Sequence, residues 1–367
     1  MKELIVGSDF SGVGAFDQAL QRLGLKYKTA FACDQDKYAR QTYIENYGKP
    51  DYFPDDVYNR AIPKESLDIY MSSPPCQAFS MSGLRLGKED KRGILFFNSL
   101  EFIKKNKPRY AIFENVRGLL SHDKRKTFKE WLDLLGGKSV NGVMTICPSE
   151  ESVPYHVHWK VVNAKHHGVP QNRERVFLVC IRDDQDNTFS FPEEETLDKK
   201  LRDVLESSID DKYFLSEKLM NGFMKHKKRH KEKGTGFQWK VKTEEDTANC
   251  LRANGALAPT DNTLLVNSAV KRGYEIAIDG DSVNLTHPGS KTRRGRVGKG
   301  VAQTLDTACN QAAYVYGDVR RLTPRECFRL MDFPDTFKWS CSNTQAYKQA
   351  GNSIVVRVLE KIINNLN

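Results

Sequence analysis

LIVGSDFSGVGAF, residues 4–16, decides the fold class. Leu4-Ile5-Val6 is a short apolar run of the buried-strand kind, and a helical pattern runs from Ala15 to Leu23. Between them, Gly12 and Gly14 tolerate positive φ and let the backbone approach a ligand closely. The helix N-terminus behind this turn favours a carboxylate or a phosphate. One strand–helix unit later, a second apolar run, Thr29 to Cys33, closes on Asp34, and a helix is expected from about Asp36 to Tyr47. An acid at that place can hydrogen-bond ribose hydroxyls in a doubly wound sheet. Asp56-Val57 falls where a third strand-end turn is expected and is read as facing an adenine edge. Three such turns on one sheet edge make an adenosine pocket. The alternative is three plain strand-to-helix turns.

The alternation continues outward. Ile69-Tyr70-Met71 reads as a strand, Ile94 to Lys104 as a helix, Tyr110 to Phe113 as a strand and Lys124 to Leu135 as a helix. Trp159–Val162 and Val176–Ile181 are two further strands. This pattern predicts an α/β fold, a doubly wound, mostly parallel sheet with helices on both faces. Composition changes near Pro192: residues 194–316 are polar and rich in Lys, Asn, Thr and Gly, with one expected helix, Ser216–Lys228. Within them TANCLRANGALAP (247–259) and VAQTLDTACNQAA (301–313) echo each other weakly. Regularity returns at Thr323-Pro324-Arg325-Glu326, which has the spacing of a capping box with Pro at N1. A last helix is expected over Ser353–Asn364.

The 367 residues carry 57 Lys and Arg against 47 Asp and Glu, a formal charge of +10 that favours a polyanionic partner. HKKRHKEK (226–233) and TRRGR (292–296) concentrate that charge, although a solvated helix face explains the first almost as well. No run of 18 apolar residues appears, which excludes a membrane-spanning helix, and the N-terminus has no signal-peptide pattern. The eight cysteines show no CxxC and no metal-ligand spacing with histidine, so a reduced, cytoplasmic setting with free thiols is expected.

One of those thiols stands out. In SSPPCQAFS (72–80), Pro74 and Pro75 fix φ and withhold two N–H donors, so the strand stops and Cys76 is presented on a stiff turn. Such a turn suits a nucleophile, or else a loop with a buried cysteine. FENVRGLL (113–120) brings Glu114 and Asn115 just after a strand, on the side where parallel strands end and ligands bind. QNRERVFLVCIR (171–182) carries Gln171, Arg173 and Arg175 before its strand, so these arginines need another route to that side, such as a hairpin at Pro170.

Taken together, these motifs resemble those of the DNA (cytosine-5) methyltransferase family. SDFSGVGAF is similar to the family's first motif, PPCQAFS to its nucleophile motif, ENV to its acid motif and QNRER to its arginine motif. RRLTPRECFRLMDFPDTF (320–337) and QAYKQAGNSIVVRVL (345–359) resemble the last two, in the family's order. Two positions depart from the pattern: Ala15 stands where a further glycine is common, and Gln35 where an adenine-stacking aromatic is common.

The resemblance implies a Rossmann-like, S-adenosylmethionine-dependent sheet over residues 1–193 and 346–367. A smaller, irregular, mostly β target-recognition domain is implied at 194–316, with a hinge and return segment at 317–345. It implies Cys76 as nucleophile, Glu114 as the acid meeting N3 and N4 of the base, and Arg173 and Arg175 as positioning groups. Phe10, Ser11, Gly12, Gly14, Asp34, Asp56, Val57, Pro75, Leu95, Asn352 and Ser353 become donor contacts, with S-adenosylhomocysteine as product and no metal. The target base must leave the duplex, and 77–93 reads as a lid from which Ser82 or Arg85 fills the gap. Arg293, Arg294, Arg296 and Thr304, the last in a stretch similar to the family's Thr-Leu segment, are expected on DNA. The implied partner is double-stranded DNA, met by a monomer of a stand-alone prokaryotic or phage modification enzyme, paired with a cognate endonuclease. The competing readings are a tRNA cytosine-5 methyltransferase, disfavoured by Ala78-Phe79-Ser80 and the long recognition region, and a catalytically silent DNA-binding regulator, disfavoured by the intact residue set.

Overall fold

The computed structural model describes residues 3–75, 95–207, 209–213, 215–234, 239–242, 245–253, 257–259, 262–265, 282–284, 297–298, 311–313 and 319–366. Cys76, Ser82, Arg85, Arg293, Arg294, Arg296 and Thr304, and with them the expected lid, lie outside the described residues.

The chain opens as β1 (Leu4–Asp9), α1 (Ala15–Arg22), β2 (Tyr27–Cys33), α2 (Lys37–Tyr47) and β3 (Ile69–Ser72). It continues through α3 (Leu95–Asn106), β4 (Tyr110–Val116) and α4 (Lys126–Leu135). Then come β5 (Ser139–Val140), β6 (Val143–Met144), β7 (Tyr155–Asn163), β8 (Gln171–Asn172) and β9 (Glu174–Arg182). The polar region holds α5 (Glu217–Glu232) and the short strands β10 (Ala248–Asn249), β11 (Thr263–Leu265), β12 (Ser282–Asn284), β13 (Val297–Gly298) and β14 (Gln311–Ala313). Last are β15 (Val319–Arg321), α6 (Pro324–Leu330), α7 (Asn343–Asn352) and α8 (Val356–Asn364).

Eight strands form one sheet in the order β2-β1-β3-β4-β9-β7-β5-β6. The expected α/β architecture is present, but the sheet is mixed. β2, β1, β3 and β4 pair in parallel, whereas β9 is antiparallel to both β4 and β7. Periodicity reports that a segment is a strand, not which way it runs.

Alternation along the strands divides the apolar residues between two cores. Tyr110 and Ile112 of β4, with Phe177, Val179 and Ile181 of β9, face the core that also holds α1 and α8. Ala111 and Phe113, with Val176, Leu178 and Cys180, face the core holding α3 and α4. α8 shows why this layer is stable: Val356, Leu359, Ile362 and Ile363 recur on one helical face and are all buried. Each such side chain contributes about 1.5–3 kcal/mol relative to exposure.

Several expectations shift by a few residues, with consequences for the site. β4 extends to Val116, so Glu114 and Asn115 belong to the strand and do not follow it. Asp56-Val57 does not close a third strand. It lies in the irregular connection before β3, and that connection runs beside β2, where Ala32 N donates to Tyr52 O and Asp34 N to Pro54 O. The expected last helix is present as α8 and starts at Val356, three residues later than expected, and a helix that was not expected, α7, precedes it and ends before Ser353. The box at Thr323 forms as expected: Thr323 Oγ1 accepts from Glu326 N, Glu326 Oε2 accepts from Thr323 N, and Pro324 is at N1. Leu201 and Ala248 within the polar region, and Leu322 and Phe328 after it, are buried in the same core as α1 and α8. A separate small cluster, Met220, Phe223 and Trp239, sits under α5.

Candidate active site

The C-terminal ends of β1, β2, β3 and β4 meet at one edge: Asp9 is level with Cys33 and Ser72, and Ser72 with Phe113. At the end of β1 the backbone turns through Phe10 at φ 57°, Gly12 at φ 55° and Gly14 at φ 85°, and Gly14 caps α1 in the left-handed region. Asp34 stabilises that turn. Its Oδ2 accepts from Gly12 N at 2.8 Å and its Oδ1 from Asp36 N at 2.8 Å. Burial raises the Asp34 carboxyl, and the two backbone donors pull it back only in part.

Two features of the turn suit a ligand. The buried Ser11 hydroxyl has no hydrogen-bond partner among the described residues. A Cβ added at Gly12 would point into space with nothing within 4 Å. Phe10 is partly buried against the second core, and Asn352, at the end of α7, is exposed. Two expected contacts are deeper: Val57 and Leu95 are 8% and 9% exposed and are packed in that core. Asp56 spends one oxygen on Tyr58 N at 2.9 Å.

Behind the turn lies a buried charge network that spacing in the sequence did not reveal. Arg60 Nε meets Asp9 Oδ1 at 2.8 Å, with both side chains at most 2% exposed, and Tyr70 donates to Asp9 Oδ2 at 2.6 Å. The Arg60 guanidinium also lies 4.5 Å from the Phe102 ring centre.

The next two strand ends carry the acid and the proline turn. Asn115 Nδ2 donates to Pro74 O at 3.3 Å, tying the end of β4 to the turn that leads through the half-buried Pro75 towards Cys76. Glu114 Oε1 faces Arg175 Nε at 3.0 Å. The pairing register explains that contact: Val116 is opposite Arg175 and Glu114 opposite Phe177, so Glu114 and Arg175 are diagonal neighbours on one face. This is the route the sequence left open. Because β9 runs against β4, its first residues reach the edge where the parallel strands end. Burial raises the Glu114 carboxyl, opposed by Arg175 and then Arg173.

Arg173 has a different occupation. Its Nη1 donates to Leu251 O at 3.2 Å and reaches Cys250 Sγ at 3.3 Å. Its Nη2 donates to Gly351 O at 3.0 Å and Ser353 O at 2.7 Å. Asn163 Oδ1 accepts from Arg173 N at 3.1 Å. Gln171 Nε2 donates to Leu330 O at 2.7 Å, and Gln171 Oε1 accepts from Leu251 N at 3.1 Å. β10 pairs with β8 alongside, and Gly351 packs so closely that a Cβ there would lie 2.3 Å from Arg252 O. Gln171 was visible in the sequence as the first residue of the arginine motif, whereas Asn163, Cys250 and Leu251 were not expected at the site.

A cleft of about 750 Å³ runs along α5 and contains none of these residues; Lys218, Lys225 and Arg229 are among its lining. Among the described residues, no three His, Cys, Asp or Glu side chains are grouped to hold a metal, and no helix is long and apolar enough to cross a membrane.

Comparison with known proteins agrees with this arrangement. The profile of the family described as C-5 cytosine-specific DNA methylase matches residues 6–367. Type II methyltransferase M.HpaII of Haemophilus parainfluenzae is 33% identical over 97% of this chain and 89% of its own length. Type II methyltransferase M.HhaI of Haemophilus parahaemolyticus is 29% identical over 97% and 92%. Among solved structures, the S. pombe Dnmt2 methyltransferase superposes with a TM-score of 0.64 at 19% identity, covering 99% of this chain and 98% of that one, a likeness of fold. With its glycine turn, its acid strand and its arginine strand at one sheet edge, the chain belongs to the C-5 cytosine-specific DNA methylases and is a DNA (cytosine-5) methyltransferase.

Proposed function

We propose that the protein methylates C5 of a flipped-out cytosine within a specific short sequence of double-stranded DNA, through a covalent bond between Cys76 and C6. The observation that carries this reading is the Glu114–Arg175 contact at 3.0 Å, beside the proline turn that leads into Cys76.

Cytosine C5 is a weak nucleophile. Addition of the Cys76 thiolate at C6 moves the ring electrons so that C5 gains enamine character. Glu114, with its carboxyl raised by burial, holds a proton for N3 and accepts from N4, which balances the charge that the sulfur brings. Arg175 fixes the carboxyl in place. Arg173 holds the recognition segment and the Ser353 turn around it. C5 then takes a methyl group, a base removes the C5 proton, and the returning electrons expel the Cys76 thiolate.

The family uses S-adenosylmethionine, which supplies that methyl when bound. Ser11, Gly12 and Phe10 fit its binding at the first turn, with Gly14 shaping the turn and Asp34 and Asp56 as candidates for ribose and adenine contacts. Asn352, Ser353 and Pro75 would border the methyl-transfer end, while Val57 and Leu95 would form the pocket floor. We assign residues 1–193 and 346–367 to the catalytic unit, 194–316 to target recognition and 317–345 to the return between them. Ser82, Arg85, Arg293, Arg294, Arg296 and Thr304 are proposed DNA contacts. The named type II methyltransferase relatives support a modification enzyme, and we propose that it acts as a monomer paired with a cognate endonuclease.

Bisulfite sequencing of plasmid DNA treated with the protein and S-adenosylmethionine tests this reading, with Cys76→Ala as control. Protected cytosines inside one short motif, lost in the control, are expected. Unprotected DNA from folded, donor-binding protein would refute it, as would protection that survives in Cys76→Ala.

A further inference from the structure

Cys250 lies just after β10, in the polar region, yet its sulfur is inside the arginine cluster. It is 3.3 Å from Arg173 Nη1 and 3.8 Å from Arg175 Nη2. From the other side Arg175 Nε holds Glu114 at 3.0 Å. Arg173 is 3% exposed and Glu114 8%. Two guanidinium groups thus stand between two acids, a carboxyl on β4 and a thiol on the recognition segment. Docking of that segment is specific: Ala248 and Asn249 pair with Gln171 and Asn172, and Leu251 is held from both sides by Gln171 and Arg173.

We propose that Cys250 is a positioning residue for methyl transfer: its sulfur shares the charge of Arg173 and Arg175 with Glu114, and so governs whether Glu114 carries its proton when the base arrives. The proposal rests on the reading of Glu114 as the acid. Burial raises the Cys250 thiol, but Arg173 and Arg175 together outweigh it and leave the group below the ordinary thiol range. A thiolate there takes up part of the arginine field, and Glu114 keeps its proton to higher pH. A neutral group leaves both arginines to act on Glu114 and draws the proton off. Among the described residues, the charged and titratable groups facing Glu114 are Arg175 and Arg173 from the β8–β9 edge, with Cys250 behind them.

Single-turnover methylation measured against pH separates the outcomes. In Cys250→Ser, the limb on which rate falls as Glu114 loses its proton is expected to move down by on the order of half to one pH unit. Cys250→Asp, which restores a negative charge, is expected to move it back. A Ser profile that superimposes on the parent's overturns the proposal, as does equal loss of rate in Ser and Asp with no movement of the limb. Alkylation of Cys250 by iodoacetamide in Cys76→Ala protein, followed by peptide mass, gives a readout that needs no turnover. An inflection below the ordinary value of about 8.5 supports the proposal, and one at or above it refutes it. A parent protein that methylates no DNA defeats the reading of Glu114, whereas methylation with an unmoved limb defeats Cys250 alone.

Discussion

The two halves of the sheet reach the same edge by opposite means. β1 to β4 run in parallel and present their ends there, and the charge in this half is acidic: Asp9 and Asp17 are buried and Asp34 is half-buried. β9 runs the other way and presents its beginning, and the charge it brings is basic, Arg173 and Arg175. The acids of the first half bind inward, to an arginine, to hydroxyls and to backbone amides, and so shape a turn that can hold a donor. The arginines of the second half bind an acid and four backbone carbonyls, and so place a proton and dock a recognition segment. Breaking the buried Arg60–Asp9 pair of the first half should therefore cost stability, and removing charge from the second half should cost rate.

The largest effect expected is on rate. Glu114→Gln keeps an oxygen for Arg175 but has no proton to give to N3. Its single-turnover rate should fall about 10²–10⁴-fold, while donor and DNA affinity change little. Because burial raises the Glu114 carboxyl, the parent's rate should decline as pH rises through that shifted pKa, and this limb should vanish in the variant. A Gln variant of near-parental rate would break the comparison at its basic half.

Next comes Arg60→Ala, which leaves the Asp9 carboxylate buried with only Tyr70 to answer it. Stripping one partner from a buried ion pair destabilises by about 3–5 kcal/mol. Urea denaturation at neutral pH should find that loss. Arg175→Ala is the contrast: its pair with Glu114 is more open, with side chains 16% and 11% exposed, so it should lose less stability and more rate. If both variants lost stability equally with rate unaffected in both, the division of labour would not hold.

This contrast follows what could be read from the residues. In the parallel half each strand end is followed by its own turn, so the glycines at 12 and 14, the acid at 34 and the prolines at 74 and 75 announce themselves locally. Thr323 and Glu326 do the same for a cap, because both partners lie within one turn of helix. Arg60 and Asp9 are 51 positions apart and meet only after β1 and β3 have paired. The arginines at 173 and 175 were visible as residue types, but their access to Glu114 depends on the direction of β9, which alternation does not encode. Cys250 was hidden more deeply still, since nothing in a polar stretch states which strand edge it will join.

Asp17→Asn is expected to have the smallest effect, and its sign depends on pH. Asp17 sits on α1 behind the glycine turn, 1% exposed, and its Oδ1 accepts from Tyr43 at 2.7 Å and Thr29 at 3.3 Å. Burial lifts its carboxyl to about 6 from 3.8, and those two hydroxyls offset only part of the rise. The folded state therefore binds this proton more tightly than the unfolded chain does. The cost of the buried charge is absent below the unfolded value, grows between about 4 and 6, and is complete above 6, where it amounts to at most about 3 kcal/mol. Asn keeps the oxygen that Tyr43 and Thr29 use and carries no charge. The variant should be more stable than the parent by about 1–3 kcal/mol at pH 8, and about half of that gain should remain at pH 5. Urea denaturation at the two pH values measures both. A gain that does not change with pH would mean that the amide packs better for reasons unrelated to charge. A loss at pH 8 would mean that the ionised carboxylate, held by its hydroxyls, is part of what keeps the acidic half together.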